Sequence, residues 1–283
     1  MPSSSAPPNP SVAAFSSPPG PGSALVFRRL SLVRRGLLLL HELDAIVPRG
    51  QVLAVMGRSG AGKTTLLRTV AGLVGPTSGG LERPSGRVPV VFQEPRLLPW
   101  RTARENVELV LAKADRGRAA EWLARVGLAD ATEAYPLTLS GGMRQRVSIA
   151  RALACQEPLL LVDEPFSHLD VVTARQLRAA LLRQLRATDG ATTTVWVTHD
   201  PAEAAEVAER TLVMAGPPTG AWRFVDHSQH ADEASLAAYL AEELDRGGTG
   251  PEGDADRGST HRGGVTHRVA GTDPRQGTSK EEA

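Results

Sequence analysis

Short apolar runs alternate with amphipathic stretches from residue 51 to residue 214. The runs at 51–56 (QVLAVM), 88–92, 159–162 (LLLV), 193–197 (TTVWV) and 211–214 are brief and rich in Val, Leu or Thr. That is the pattern of strands buried on both faces. Segments 64–73, 105–113, 118–126, 143–154, 173–187 and 202–209 carry apolar residues at helical spacing, and the first closes at Gly75-Pro76. Such alternation predicts an α/β fold: a mostly parallel sheet covered by helices on both faces. Residues 93–150 are mostly helical and interrupt the alternation, which predicts an inserted helical subdomain. A further helix is expected at 231–244.

The two ends differ in kind. Residues 1–23 are rich in Pro and Ser and carry no charge, and 246–283 are rich in Gly, Ser and Thr. Neither can bury enough apolar surface to offset chain entropy, so both are expected to be disordered tails around a folded unit at 24–245. The first has neither the cationic start nor the apolar stretch of a secretory signal. No apolar run approaches the roughly 20 residues that span a bilayer, so the expectation is a soluble chain whose membrane work is done through a partner. The single cysteine, Cys155, excludes intrachain disulfides and multi-thiolate metal sites. A formal net charge of +1 argues against a protein whose main task is gripping nucleic acid. Of 32 basic residues only Lys63, Lys113 and Lys280 are lysines, which draws attention to each.

Lys63 lies in Gly57-Arg58-Ser59-Gly60-Ala61-Gly62-Lys63-Thr64, a G-x-x-x-x-G-K-[ST] loop between a predicted strand and a predicted helix. Phosphate oxygens need many donors at close range. Glycines let successive N–H groups turn inward, the helix presents its positive end, Lys63 adds a compact charge and the Thr64 hydroxyl suits Mg²⁺. The strand at 159–162 ends in Asp163-Glu164. An acid at the carboxyl end of a buried parallel strand lies where such sheets bind ligands. Asp163 suits Mg²⁺ directly or through water, and Glu164 can polarise a hydrolytic water. Ser140-Gly141-Gly142 opens the helix at 143–154, where Ser140 can cap the helix and the Gly141 and Gly142 N–H groups form a second anion site. With phosphates already served at 57–64, that second site asks for another nucleotide or a partner chain. Gln93 follows the strand at 88–92, and His199 follows the strand at 193–197.

Together these residues closely resemble the ATP-binding cassette (ABC) family. GRSGAGKTT (57–65, through Thr65) matches its phosphate loop, Gln93 its Q-loop and LSGGMRQR (139–146) its signature. LLLVDEP (159–165) matches the Walker B strand, Ser-His-Leu-Asp (167–170) the D-loop with His168 where Ala is commoner, and His199 the switch histidine. The resemblance covers about residues 25–225 and implies an ABC ATPase fold, meaning a phosphate-loop ATPase core with a mostly parallel sheet and an inserted helical subdomain. It further implies ATP and Mg²⁺ as cofactors. The nucleotide would be held by residues 57–65, with metal on Thr64, Gln93 and Asp163, and water attack governed by Glu164 and His199. Ser140–Gly142 of a second copy would close over it in a homodimer. The partners implied are transmembrane permease subunits and, indirectly, an extracytoplasmic solute-binding protein, with the chain peripheral on the cytoplasmic face of the membrane. Residues 91–100 (VFQEPRLLPW) followed by Glu105-Asn106 look like the importer subgroup for nitrate, sulfonates and taurine. A non-transporting ABC-type ATPase and a phosphate-loop small-molecule kinase are the alternatives. The family usually places an adenine-stacking aromatic about two dozen positions before the phosphate loop. Here that position falls at Arg34, residues 31–40 hold no aromatic, and the guanidinium plane of Arg34 or Arg35 is the available substitute.

Overall fold

The computed structural model describes residues 22–187 and 192–246. The two tails expected from composition lie outside the described residues, except at their inner ends. Ser23 pairs with Pro48 in a sheet, and Arg246 caps the last helix and ion-pairs with Glu242 and Glu243.

The central sheet has six strands in the order β5-β6-β7-β3-β8-β9. Its strands are β3 (Val52–Gly57), β5 (Val90–Val91), β6 (Leu159–Asp163), β7 (Thr193–Val197), β8 (Arg210–Gly216) and β9 (Ala221–Asp226). All pairings are parallel except β8 with β9. Uninterrupted apolar character follows from burial on both faces. Leu159 and Leu161 of β6 join one core and Leu160 and Val162 the other, and Val195 and Val197 oppose Trp196 in the same way. One core lies under the helices α2 (Ala103–Glu108), α3 (Ala119–Arg125), α4 (Gly141–Ala154) and α5 (Val171–Arg186). The other is closed by α1 (Lys63–Val70) and by a second sheet. The helices α6 (Pro201–Val207) and α7 (Glu233–Asp245) seal a third cluster behind β3 and β8.

The second sheet is not marked by the apolar pattern. Strands β1 (Ser23–Arg34), β2 (Leu37–Pro48) and β4 (Ser78–Glu82) form an antiparallel sheet in the order β2-β1-β4. The β1–β2 turn is the pair Arg35-Gly36, both at positive φ (51° and 77°), the two-residue geometry that matches strand twist. Register shifts along β1 blur the period-two alternation that would have marked it. Two boundaries also move. The helix expected at 105–113 stops at Glu108, and a 3₁₀ turn at Lys113–Arg118 takes over. The strand expected at 88–92 pairs only at Val90–Val91. The helices expected within 93–150 are present as α2, α3 and α4. No helix among the described residues is long and apolar enough to cross a membrane.

Candidate functional site

The phosphate loop joins β3 to α1. Gly62 stands before the first turn of α1 at φ 102°, and a Cβ there would lie 2.8 Å from Leu39 Cβ, so both backbone and space demand glycine. No acidic side chain occupies the first turn of α1, which leaves the positive end of the helix uncompensated. Lys63 is buried; its Nζ donates to the Gly57 carbonyl at 2.8 Å and lies 3.7 Å from Glu164 Oε1. Thr64 is exposed and Thr65 half-buried.

Asp163 ends β6 and Glu164 follows it. The intervening strand β7 lies between β6 and β3, so the acids reach the phosphate loop across it, and β7 itself delivers His199. Glu164 sits at φ 43°, its N–H bonded to the Val197 carbonyl, and its Oε2 lies 3.0 Å from His199 Nδ1. One carboxylate is thus held between an ammonium and an imidazole. Burial first, then the neighbouring Glu164 charge, push the Asp163 carboxyl above its ordinary range, while Lys63, Arg68 and Arg96 pull the other way. Thr64, Asp163 and Gln93 offer hard oxygen donors, the set that Mg²⁺ prefers.

Gln93 is held elsewhere. Its Nε2 donates to Ser167 Oγ at 2.8 Å and lies 2.8 Å from His168 Nε2, while Ser167 Oγ donates to the Glu164 carbonyl at 3.1 Å. The unusual His168 is therefore a partner of Gln93. The Ser140–Gly142 turn caps α4 as expected, with Ser140 Oγ accepting from the Met143 N–H at 3.2 Å and no acid in the first turn. Among the described residues, no hydrogen bond or ion pair links this turn to residues 57–65 within the chain. Arg58 also leaves its loop. Its guanidinium donates to the Asp245 carbonyl at the end of α7, at 3.0 Å. Arg34 is tied to the carbonyls of Val33 and Gly75, each at 3.1 Å, which leaves Arg35 as the exposed guanidinium of that turn.

Asn106 acquires a physical role. Its Oδ1 accepts from the Leu98 N–H, and its Nδ2 donates to the carbonyls of Leu98, Arg101 and Thr102. Thr102 and Glu105 form a reciprocal cap on α2. Together they shape 97–102 so that Trp100 stands out, 70% exposed.

An ammonium and a helix N-terminus facing a carboxylate–imidazole pair suit the binding of a polyphosphate and its attack by water. That chemistry puts the chain in the class of phosphate-loop nucleotide hydrolases. The comparisons are more specific. The ABC transporter family model matches residues 40–167. The aliphatic sulfonates import ATP-binding protein SsuB 2 of Frankia alni is 50% identical over 179 residues, covering 62% of this chain and 71% of that one. Its counterpart in Rhodopseudomonas palustris is 44% identical over 206 residues, covering 69% and 72%. A solved dimeric ATP-binding cassette in a post-hydrolysis state, bound to ADP and Pi, superposes with a TM-score of 0.58 at 31% identity, covering 67% of this chain and 94% of its own. The chain belongs to the ATP-binding subunits of ABC transporters, and as such it binds and hydrolyses ATP.

Proposed function

We propose that the chain is the ATP-hydrolysing subunit of an importer for aliphatic sulfonates, working on the cytoplasmic face of the membrane through separate permease subunits. An extracytoplasmic solute-binding protein supplies the cargo. The observation that carries the catalytic part is the convergence of Lys63, Glu164 and His199 from three separate strand ends. The cargo assignment follows the sulfonate-import relatives.

In this reading the triphosphate lies along Gly57, Arg58, Ser59, Gly60, Ala61, Gly62, Lys63, Thr64 and Thr65. The backbone N–H groups and Lys63 neutralise it. Thr64, Asp163 and Gln93 would hold Mg²⁺, which when bound neutralises charge on the outer phosphates. Glu164 takes hydrogen bonds from the attacking water, and His199 fixes the Glu164 carboxylate and faces the γ-phosphate. The Ser140, Gly141 and Gly142 turn of a second copy, uncompensated at its helix N-terminus, closes over the nucleotide. The solved relative captured as a dimer with ADP and Pi supports this arrangement. Exposed Trp100, presented by Asn106, lies on the surface through which α2–α4 push the permease.

The purified chain is expected to hydrolyse Mg-ATP. Deleting its gene is expected to abolish growth on an aliphatic sulfonate as sole sulfur source while leaving growth on sulfate intact. Growth on the sulfonate without the gene would overturn the cargo. Unchanged turnover in Glu164→Gln would overturn the catalytic assignment.

A further inference from the structure

Two side chains of α4 with no part in the scheme above hold the backbone just before and just after Gln93. Gln145 is buried, and its Nε2 donates at 3.0 Å to the carbonyl of Phe92, the residue before Gln93. About 9 Å further along the helix, Arg151 takes the residues that follow Gln93. Its Nη2 donates to the Pro95 carbonyl and its Nη1 to the Arg96 carbonyl, both at 2.9 Å. Among the described residues no carboxylate ion-pairs with Arg151, and burial draws its pKa down. A desolvated guanidinium in such a place depends on the carbonyl dipoles it meets. The loop is closed on itself as well. Arg96 adopts φ 47° and lays its guanidinium over the Phe92 ring at 4.0 Å.

We propose that Gln145 and Arg151 are positioning residues that lock the Gln93 loop onto α4, so that Gln93 and the Ser140–Gly142 turn move as one body. The proposal rests on the ATPase reading for the role of Gln93 and Ser140, but the lock itself is a property of this chain alone. Its consequence is mechanical. When α4 carries its N-terminus toward a second copy's nucleotide, the same displacement draws Gln93 away from Ser167 and His168. A free hinge at 92–96 would separate the two events.

The test uses the full chain. Nitroxide labels are placed on Glu94→Cys and Arg144→Cys in a Cys155→Ser background, and their separation is measured by pulsed electron resonance without nucleotide. Arg151→Met keeps an unbranched stem but removes both donors, and Gln145→Met is the second variant should the first fold poorly. The lock predicts a narrow distance distribution that broadens at least about two-fold in either variant. In the unlabelled chain, kcat for Mg-ATP falls about 10-fold with KM near that of the parent, while melting temperature drops only modestly as hydrogen bonds from a charged donor are lost. Arg151→Lys, with a single nitrogen, lies between. An already broad distribution in the parent, or unchanged width and kcat in Arg151→Met, would overturn the proposal. The distance readout needs no hydrolysis, so a parent chain without turnover would count against the ATPase reading and leave the lock measurable.

Discussion

At the scale of single residues, the site is a set of charges held short of their ideal partners. Lys63 bonds back to the Gly57 carbonyl and leans on Glu164, which is shared with His199. Replacing Lys63 removes the buried cation of the phosphate loop, since the Arg58 guanidinium is turned toward Asp245. Lys63→Ala is expected to weaken ATP binding at least ~100-fold, the upper range for a charge-assisted contact, measured by equilibrium titration with a fluorescent ATP analogue. Asp163 shows the opposite side of such an arrangement. Its carboxyl titrates high in the folded chain because it is buried beside Glu164, so its ionised form destabilises the native state. The penalty is absent below the unfolded pKa and fully present once pH rises above the folded one. Asp163→Asn is therefore expected to melt higher than the parent at pH 7–8 without nucleotide, the gap closing as pH falls through the carboxylate range, while hydrolysis is lost. A calorimetric scan showing a lower melting temperature at neutral pH would refute this.

At the scale of elements, the proposed scheme turns on how helices begin. α1 and α4 both start without an acid in the first turn, one behind a glycine and one behind Ser140. Ser140→Arg is expected to leave nucleotide binding by the single chain within about two-fold while reducing turnover at least ~10-fold, because it removes the cap of α4 and puts a bulky side chain between the turn and the nucleotide. Full turnover would remove the turn from the shared site. α2 is organised differently: Asn106 satisfies four backbone groups of 98–102 from a fully buried position. Asn106→Ala strands those groups, and a destabilisation of about 2–4 kcal/mol is expected from denaturant unfolding.

At the scale of the whole molecule, strand order determines which groups meet. β7 stands between β6 and β3, so Lys63, Glu164 and His199 gather from three adjacent carboxyl ends. The Ser140 turn belongs to the helices on the same chain yet, among the described residues, makes no bond to that cluster, and the second copy is what supplies it in the proposed scheme. Glu164→Gln is expected to bind Mg-ATP, turn it over at least ~100-fold more slowly and sediment as a dimer. A variant that stays monomeric with Mg-ATP would argue against closure between copies.

The parallel core, the phosphate loop and the acidic strand end were legible in the chain because each depends on near neighbours. Apolar runs mark strands covered on both faces, glycines mark a turn that no side chain permits, and an acid directly follows a buried strand. The antiparallel sheet of β1, β2 and β4 was not legible, since its register shifts blur alternation and its partners lie far apart in sequence. Nor could spacing reveal that His168 meets Gln93, that Arg34 is tied to Gly75, or that Gln145 and Arg151 grip the Gln93 loop. Local order determined which groups this protein gathers at its phosphate loop and strand ends. Only the packing of α4 and the turn after Glu164 against that loop decided which of them are held, and by what, because such contacts depend on distances that sequence separation does not encode.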